Sequence, residues 1–301
     1  MSAREPQIEE LLDHRKEIEA SVSTYLGREW HIREIQDQAE RAAHPAAVLS
    51  DGEFEVFAKL GRSSNAPEQF RCETVGLSTM SELAGVLTPT VVDCLGIPHG
   101  AILVLKSVEM VEPTKAAWEE AGRSLARLHS AKGPRFGFDE DSYWGDFRQN
   151  NRPLDSWNTF FWERWIEPKI SHGLEEGHMP VALAREVERL VGRLDSICGP
   201  RVDPSLVHGD AHQNNILNTP EGPVFVDPNV HFGHPELDLA FVDYFQLVPE
   251  ALFSAYAEMS PIAEDFPDRR EVWRMPFYLA MVEGHDGTPQ EQIRAVLGRF
   301  L

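Results

Sequence analysis

The chain has 301 residues and a mass of 34.0 kDa, enough for two modest domains or one large one. Its 28 basic and 49 acidic residues give a net charge of −21 without any basic stripe, which argues against nucleic-acid binding. No apolar run approaches the ~20 residues that cross a bilayer, and the N-terminus lacks an apolar secretory signal, so we expect a cytoplasmic protein that does not bind membranes. The acidity suits an enzyme that handles a cationic small molecule, although it also serves solubility.

The first third of the chain predicts a small lobe that is rich in strands. Residues 7–25 carry apolar side chains at roughly helical spacing, and short strands are expected between residues 30 and 60. In the last of these strands the apolar residues alternate, which places Lys59 on the face opposite to theirs. A helix near residues 67–84 follows, and residues 102–105 predict a buried strand.

The pattern becomes mainly helical after Pro113, with an irregular stretch rich in glycine and aromatic residues at 133–154. The change in composition near residues 106–113 predicts a domain boundary, with one domain over residues 1–108 and a second over residues 109–301. We therefore expect an α+β protein with a small strand-rich N-lobe and a larger helical C-lobe. A functional site would lie in the cleft between the two lobes.

The most informative segment is LVHGDAHQNNIL at residues 206–217, followed by VFVDP at residues 224–228. The intervening NTPEGP is dense in turn-forming residues and predicts a hairpin centred on Glu221. In that register Asn215 lies directly opposite Asp227, with the two Cβ atoms ~5 Å apart. One cation bridging the amide oxygen and the carboxylate is therefore expected here.

The side chains of this segment suit a magnesium site beside a free carboxylate. Oxygen ligands from an amide and a carboxylate favour a hard ion such as Mg²⁺, which keeps waters and phosphate oxygens in its shell. Asp210, just upstream of the hairpin, supplies the separate carboxylate that phosphoryl transfer needs to orient an acceptor hydroxyl and take its proton. The alternative is that each side chain only caps a turn. The presence of Asp210, Asn215 and Asp227 together favours the site.

A lysine and a glutamate in the small lobe complement this site. Glu73 lies on the apolar stripe of its helix, where a carboxylate without a partner is costly. Lys59 on the neighbouring strand is the expected partner, and such a pair positions nucleotide phosphates in kinase-type sites. The alternative is a surface lysine and a half-exposed glutamate. The downstream site leads us to favour the pair.

Longer stretches of the chain carry a resemblance to a known family. They are HGD at 208–210 with its downstream Asn and Asp, GHPELDLA at 233–240, FGF at 136–138 and WNTFFWER at 157–164. The first two resemble the catalytic core of the aminoglycoside phosphotransferase-like kinases. The others resemble one branch of that superfamily, the fructosamine kinase (ketosamine-3-kinase) family. The similarity covers roughly residues 54–282.

The resemblance implies a bilobal protein-kinase-like fold that binds ATP and Mg²⁺ in the cleft. It implies that Asp210 is the catalytic base that faces the acceptor hydroxyl. It also implies that Asn215 and Asp227 are the metal ligands. Lys59 would contact the α- and β-phosphates of ATP and pair with Glu73.

The same resemblance assigns the hinge and the support of the catalytic loop. Lys106, Ser107 and Val108 would form the hinge and hold adenine mainly through backbone groups. His208 and Asp238 would brace the catalytic loop, with Asp238 accepting hydrogen bonds near the start of a helix.

Among the departures from the family pattern, one concerns the cover of the phosphates and one concerns the acceptor. Residues 40–47, ERAAHPAA, contain no glycine where relatives usually cover the phosphates with a glycine-containing hairpin. Residues 211–214, AHQN, stand where fructosamine kinases tend to show LWSG beside the acceptor. The resemblance favours a ketoamine acceptor, on a small molecule or on a protein lysine. An aminoglycoside or another small amino-bearing alcohol is the alternative.

Two other functions compete with an ATP-dependent small-molecule kinase. His208, Asp210 and His212, with His231 and His234 further on, could form the zinc or dinuclear site of a metallohydrolase. The missing glycines would suit a non-catalytic, nucleotide-binding pseudokinase. The kinase explains more of the motifs, and we expect it to act as a monomer.

Overall fold

The computed structural model of the protein describes residues 8–38, 44–145, 147–198, 201–282 and 288–301. Its N-terminal part is built around one antiparallel sheet, and its C-terminal part is mainly helical. The N-terminal elements are, in chain order, α1 Ile8–Leu12, α2 Arg15–Leu26, β1 Glu34–Asp37, β2 Ala46–Ser50, β3 Glu55–Gly61, α3 Ala66–Ala84, β4 Val91–Ile97 and β5 Gly100–Lys106.

The C-terminal part places two-stranded sheets among its helices. Its elements are α4 Lys115–Ser130, β6 Ser142–Trp144, β7 Phe147–Gln149, α5 Trp157–Phe160, α6 Glu167–Glu175, α7 Val181–Val191, α8 Leu194–Ile197, β8 Ser205–Val207, β9 Ile216–Thr219, β10 Gly222–Phe225, β11 His231–Gly233, α9 Glu236–Phe241, α10 Glu250–Ala257, α11 Phe266–Trp273, α12 Met275–Ala280 and α13 Thr288–Phe300. A π-helical turn, Phe161–Ile166, joins α5 to α6, and a 3₁₀ turn, Gln213–Asn215, precedes β9. None of the helices in the described ranges is long and apolar enough to span a bilayer.

The N-terminal sheet separates two apolar clusters. Its strands run in the order β1-β2-β3-β5-β4, and every neighbouring pair is antiparallel. The expected alternation in β3 is observed, because Val56 and Ala58 pack with Leu11 and Ile18 of α1 and α2. The opposite face of β3 carries Lys59, which lies towards α3 and the C-terminal part. This alternation directs the lysine into the cleft while the sheet remains packed on its other side.

Helix α3 crosses from β3 to β4 and follows the prediction from the sequence closely. The expected span was 67–84, and the helix runs over Ala66–Ala84. It ends because Gly85 adopts a left-handed conformation with φ of 64° and donates its N–H to the Ser81 carbonyl. Its apolar stripe, which includes Phe70 and Leu77, is buried against the main core. The amphipathic pattern thus gave both the position and the buried face of this helix.

Helix α4 opens the C-terminal part and anchors its core. The side chain of Thr114 caps the helix by accepting the N–H of Ala117 at 3.2 Å. The face predicted to be apolar is buried, with Ala121, Leu125 and Leu128 fully inaccessible. Helix α10 packs along α4, and β8 also packs against α4, with Leu206 donating its N–H at 2.8 Å to the carbonyl of Ala131, the residue after the end of α4. This packing fixes the strand from which the HGD segment emerges.

The hairpin of β9 and β10 forms where the sequence predicts it, but its register differs by one residue. Ile216 pairs with Phe225, so the expected pairing of Asn215 with Asp227 is wrong. The Asn215 carbonyl accepts the N–H of Val226 instead, at 3.0 Å. The physical reason is that the turn has two central residues, at positions 220 and 221, rather than one residue at its centre.

Candidate active site

The loop between β8 and β9 carries the HGD segment and is held by hydrogen bonds to Asp238 and Val226. The backbone N–H groups of His208 and Gly209 donate to the two carboxylate oxygens of Asp238, at 2.7 and 2.9 Å. Gly209 has φ of 78°, and a Cβ there would lie 2.1 Å from the carbonyl oxygen of Asn229. The ring of His208 donates from Nε2 to the Val226 carbonyl, at 2.9 Å. These contacts constrain the backbone of the loop at His208 and Gly209.

Asp238, near the start of α9, is the centre of a buried hydrogen-bond network. In addition to the two backbone groups, it contacts Nε2 of His129 at 3.0 Å, and Nδ1 of His129 lies 2.8 Å from the Tyr256 hydroxyl. Burial by itself raises the pKa of Asp238, but these hydrogen bonds and the neighbouring histidines lower it overall. The carboxylate therefore stays charged and accepts two hydrogen bonds from the backbone of the loop.

Asp210 presents a carboxyl group at the end of this loop. Its backbone N–H donates to Nδ1 of His208, and its carbonyl accepts the side-chain amide of Asn215 at 2.8 Å. Its Oδ1 has no partner of normal hydrogen-bond geometry within the described residues. Burial raises the pKa of Asp210 to about 8; the indole of Trp144 opposes this, and the charge of Asp227 adds to it. An oxygen without a partner and a raised pKa suit a group that accepts a proton.

Asp227, which follows β10, meets the two charged residues predicted in the small lobe. Lys59 forms a close ion pair with Asp227, and its Nζ also lies 2.8 Å from Oε2 of Glu73. Asp227 has φ of 52° although it precedes a proline, a backbone strain of the kind found at functional sites. Its side chain is half exposed in the cleft, whereas those of Lys59 and Glu73 are largely buried.

The three charges alter one another's proton affinity. Burial raises the pKa of Glu73 to about 7, with Lys59 opposing the shift and Asp227 adding to it. Burial lowers the pKa of Lys59, but the two carboxylates outweigh it and raise the pKa overall. Partial burial raises the pKa of Asp227, whereas Lys59 lowers it overall. Lys59 is thus held as a cation between two acceptors.

A glycine in α3 allows the helix that carries Glu73 to approach the loop that follows Asp227. Gly76 faces the loop after Asp227, and a Cβ at this position would lie 2.9 Å from Cγ of Pro228 and 3.3 Å from Val230. Any larger residue would push α3 away from that loop. The close approach of helix and loop is therefore built into the sequence, one turn of helix beyond Glu73.

The predicted hinge lies between the sheet and the C-terminal part. Lys106 is the last residue of β5 and is exposed, and Ser107 donates its N–H to the Glu55 carbonyl at 3.0 Å. Val108 follows, and a few residues later Val111 donates to the Asn218 carbonyl of β9 at 2.9 Å. The segment thus joins the end of β5 to the hairpin that precedes Asp227.

The residues that suggested a zinc site do not form one cluster, although Nε2 of His212 lies 3.8 Å from Oδ2 of Asp210. His231 and His234 are buried among the rings of Trp157 and neighbouring aromatic residues, and Nδ1 of His231 contacts the Asn229 carbonyl at 3.0 Å. In the part of the chain that the structure describes, no three His, Cys, Asp or Glu side chains converge to hold a metal ion. The geometry does not favour the metallohydrolase.

Several contributors to the site were not identified from the sequence. His129 lies on the buried side of α4, and Trp144 lies in the irregular stretch, where no periodicity ranks one residue above another. The ring of Phe245 packs edge-on against His212 at 4.9 Å and is about half exposed beside the loop. Of the stretch at 40–47 expected to cover phosphates, residues 40–43 lie outside the described residues.

The sequence of this chain is similar to sequences of one known family. A sequence model of the fructosamine kinase family matches residues 14–301. The "Probable ketoamine kinase" of Synechocystis sp. is 28% identical over 289 residues, which cover 94% of this chain and 96% of that protein. A protein of the same description from Enterococcus faecium is 30% identical over 233 residues, which cover 77% of this chain and 82% of that protein.

Solved structures agree in fold. Two structures described as "Putative fructosamine-3-kinase", from Haemophilus somnus and Thermobifida fusca, give TM-scores of 0.82 and 0.79 at 21% and 27% identity. Both alignments cover 93% of this chain, and they cover 96% and 98% of the two solved chains, respectively. The ternary complex of a thermostable mutant of aminoglycoside phosphotransferase APH(4)-Ia with ADP and hygromycin B gives a TM-score of 0.61 at 13% identity, over 94% of this chain and 96% of that one. The expected α+β protein-kinase-like fold is confirmed; the protein is a small-molecule kinase and belongs to the fructosamine kinase family.

Proposed function

We propose that this kinase transfers the γ-phosphoryl group of ATP to a hydroxyl of a ketoamine, the sugar-derived adduct of an amine. The observation that carries the proposal is the Asp210 carboxyl group, whose Oδ1 has no well-aligned partner among the described residues. The charge of Asp227, which forms an ion-paired group with Lys59 and Glu73, acts on the pKa of Asp210. Family membership and the ketoamine kinase descriptions of the curated relatives support the choice of acceptor.

In this mechanism Asp210 orients the acceptor hydroxyl and takes its proton. The hydroxyl oxygen forms a bond to the γ-phosphorus while the bond from that phosphorus to the bridging oxygen of ADP breaks. The raised pKa of Asp210, about 8, makes its carboxylate a stronger base than an ordinary aspartate. The amide of Asn215 and the N–H groups bound by Asp238 keep the base in place.

A magnesium ion fits the oxygen donors at this site. Asn215 uses its amide nitrogen on the Asp210 carbonyl, which leaves its side-chain oxygen for a cation, and Asp227 adds a half-exposed carboxylate. We propose Asn215 and Asp227 as the ligands. When bound, the ion would neutralise charge on the phosphates. Lys59, held by Glu73, would hold the α- and β-phosphates from the side of the sheet.

The remaining assignments follow the layout of the cleft. We propose that Lys106, Ser107 and Val108 hold adenine through their backbone groups and that the boundary between the lobes follows Val108. A nucleotide-binding lobe at residues 1–108 would then precede a catalytic and acceptor-binding lobe at residues 109–301. The exposed end of β5 and the hydrogen bond from Ser107 to the Glu55 carbonyl of β3 support this placement.

The test is ATP consumption in the presence of Mg²⁺ with three samples: a fructose-lysine-type ketoamine, an aminoglycoside, and no acceptor. We expect turnover that depends on the ketoamine. Turnover with the aminoglycoside alone would replace the proposed acceptor with the other class of amino-bearing alcohol. ATP binding without phosphorylation of either acceptor would contradict the proposal and favour a pseudokinase.

A further inference from the structure

The short strand β6 lies between the loop that carries Asp227 and the helix that carries Glu73, and its consecutive side chains act on both sides of the site. Ser142 donates a short hydrogen bond to Oδ1 of Asn229, two residues after Asp227. Tyr143 donates its hydroxyl to Oε2 of Glu68 at 2.9 Å, on the same helix as Glu73. The indole of the third residue, Trp144, acts on the pKa of Asp210 and opposes its rise.

The strand geometry explains how three residues reach three targets. Successive side chains point to opposite faces, so Ser142 and Trp144 lie towards the loops that carry Asp227 and Asp210, while Tyr143 lies towards α3. The loop contacted by Ser142 is itself tied to the HGD segment, because Asn229 donates its N–H to the His208 carbonyl at 2.8 Å. One strand therefore bridges the phosphate side of the cleft and the acceptor side.

Hydrogen bonds and aromatic contacts with other residues of the C-terminal part hold the strand in place. Asn151 donates its side-chain amide to the Ser142 hydroxyl at 2.8 Å and its backbone N–H to Asp141 at 3.0 Å. Trp144 packs edge-on against Phe277, with ring centroids 4.3 Å apart, and covers the ammonium group of Lys169, whose Nζ lies 5.1 Å from the indole. Because this packing is close, a displacement of β6 is passed on to the residues that it contacts.

We propose that β6 is a positioning strand, in which the Tyr143–Glu68 hydrogen bond sets the position of α3, and hence of the Lys59–Glu73 pair, relative to Asp210. This inference rests on the proposed function and adds a coupling between the ATP and acceptor sides. Burial and Glu68 raise the pKa of Tyr143 to about 12, so the hydroxyl donates at neutral pH. A hydrogen bond to a charged acceptor of this kind is stronger than a neutral one.

The first experiment removes only the hydroxyl, in Tyr143→Phe. We expect kcat/KM for ATP to fall by roughly tenfold, the factor that a bond of this strength represents. Tyr25→Phe is the matched control, since Tyr25 is exposed on the far side of the sheet and packs against Phe54. Unchanged kcat/KM for ATP in Tyr143→Phe would overturn the proposal.

A double-mutant cycle then tests the route of the effect. If Tyr143 acts through Glu68, Tyr143→Phe combined with Glu68→Gln loses no more than the more damaging single variant. Fully additive losses would show that Tyr143 does not act through Glu68 and would overturn the proposal.

Nucleotide binding separates this inference from the proposed function. Calorimetric titration with Mg²⁺-ATP needs no acceptor, and Tyr143→Phe should weaken binding several-fold relative to the wild type. Weakened binding with no turnover by the wild type on any acceptor would support the positioning strand and contradict only the proposed function. Equal binding by the two proteins, with the wild type active on a ketoamine, would contradict only the positioning strand.

Discussion

The Asp210 carboxyl group is expected to destabilise the folded protein near neutral pH. Its pKa is about 8 when folded, against an ordinary value of 3.8. Between those values the folded chain binds more protons at this site than the unfolded chain does, so the free energy of unfolding falls as pH rises. At pH 7 the shift amounts to about three pH units, or roughly 4 kcal/mol. The base is thus maintained at the expense of stability.

We predict that Asp210→Asn, which keeps the shape and removes the titration, stabilises the fold while abolishing turnover. The gain should grow by about 1.4 kcal/mol per pH unit between pH 5 and pH 7. Urea unfolding at both pH values, without nucleotide or magnesium, measures it. Asp155→Asn is the control, because the Asp155 side chain is 85% exposed. A gain of the same size at both pH values would refute the reasoning.

Two other substitutions test the surroundings of the site. Lys169 is buried among three aromatic rings, and burial lowers its pKa to about 7, so stability should rise with pH between 7 and 10. Lys169→Met should remove that rise with pH. It should also stabilise the protein at pH 7 by roughly 3 kcal/mol, after allowing for the lost cation–π contacts. Urea unfolding measures this change, and destabilisation at pH 7 would contradict the prediction. Asp227→Ala should weaken Mg²⁺-ATP binding much more than binding of metal-free ATP, which calorimetric titration measures; equal loss of both would contradict its assignment as a ligand.

Local patterns in the sequence predict the elements that carry the site. Alternation in β3 places Lys59 on the cleft side, and the stripe of α3 places Glu73 beside it, because both signals depend on neighbouring residues. Asp227, the other partner of Lys59, follows the hairpin and lies 168 residues away in sequence. The resemblance to a kinase family, and no local pattern, predicts that both residues lie in one cleft, whereas their ion pair was not predicted.

Other features depend on details that such patterns do not carry. The hairpin is recognisable from its turn residues, but alternation alone does not choose between one and two central residues, and the register was wrong by one. The contact of Tyr143 with Glu68 joins residues 75 positions apart, from a stretch without periodicity. Long-range polar contacts of this kind follow from the packing of the whole chain.

The most direct test of the central claim is the identity of the phosphorylated product. Mass spectrometry of a fructose-lysine-type ketoamine, after incubation with ATP, Mg²⁺ and the wild-type protein, should show the gain of one phosphoryl group on the sugar portion. The same incubation with Asp210→Asn should leave the ketoamine unchanged, because the acceptor hydroxyl then has no base. An unmodified ketoamine with the wild type, or an equal yield with the variant, would contradict the account.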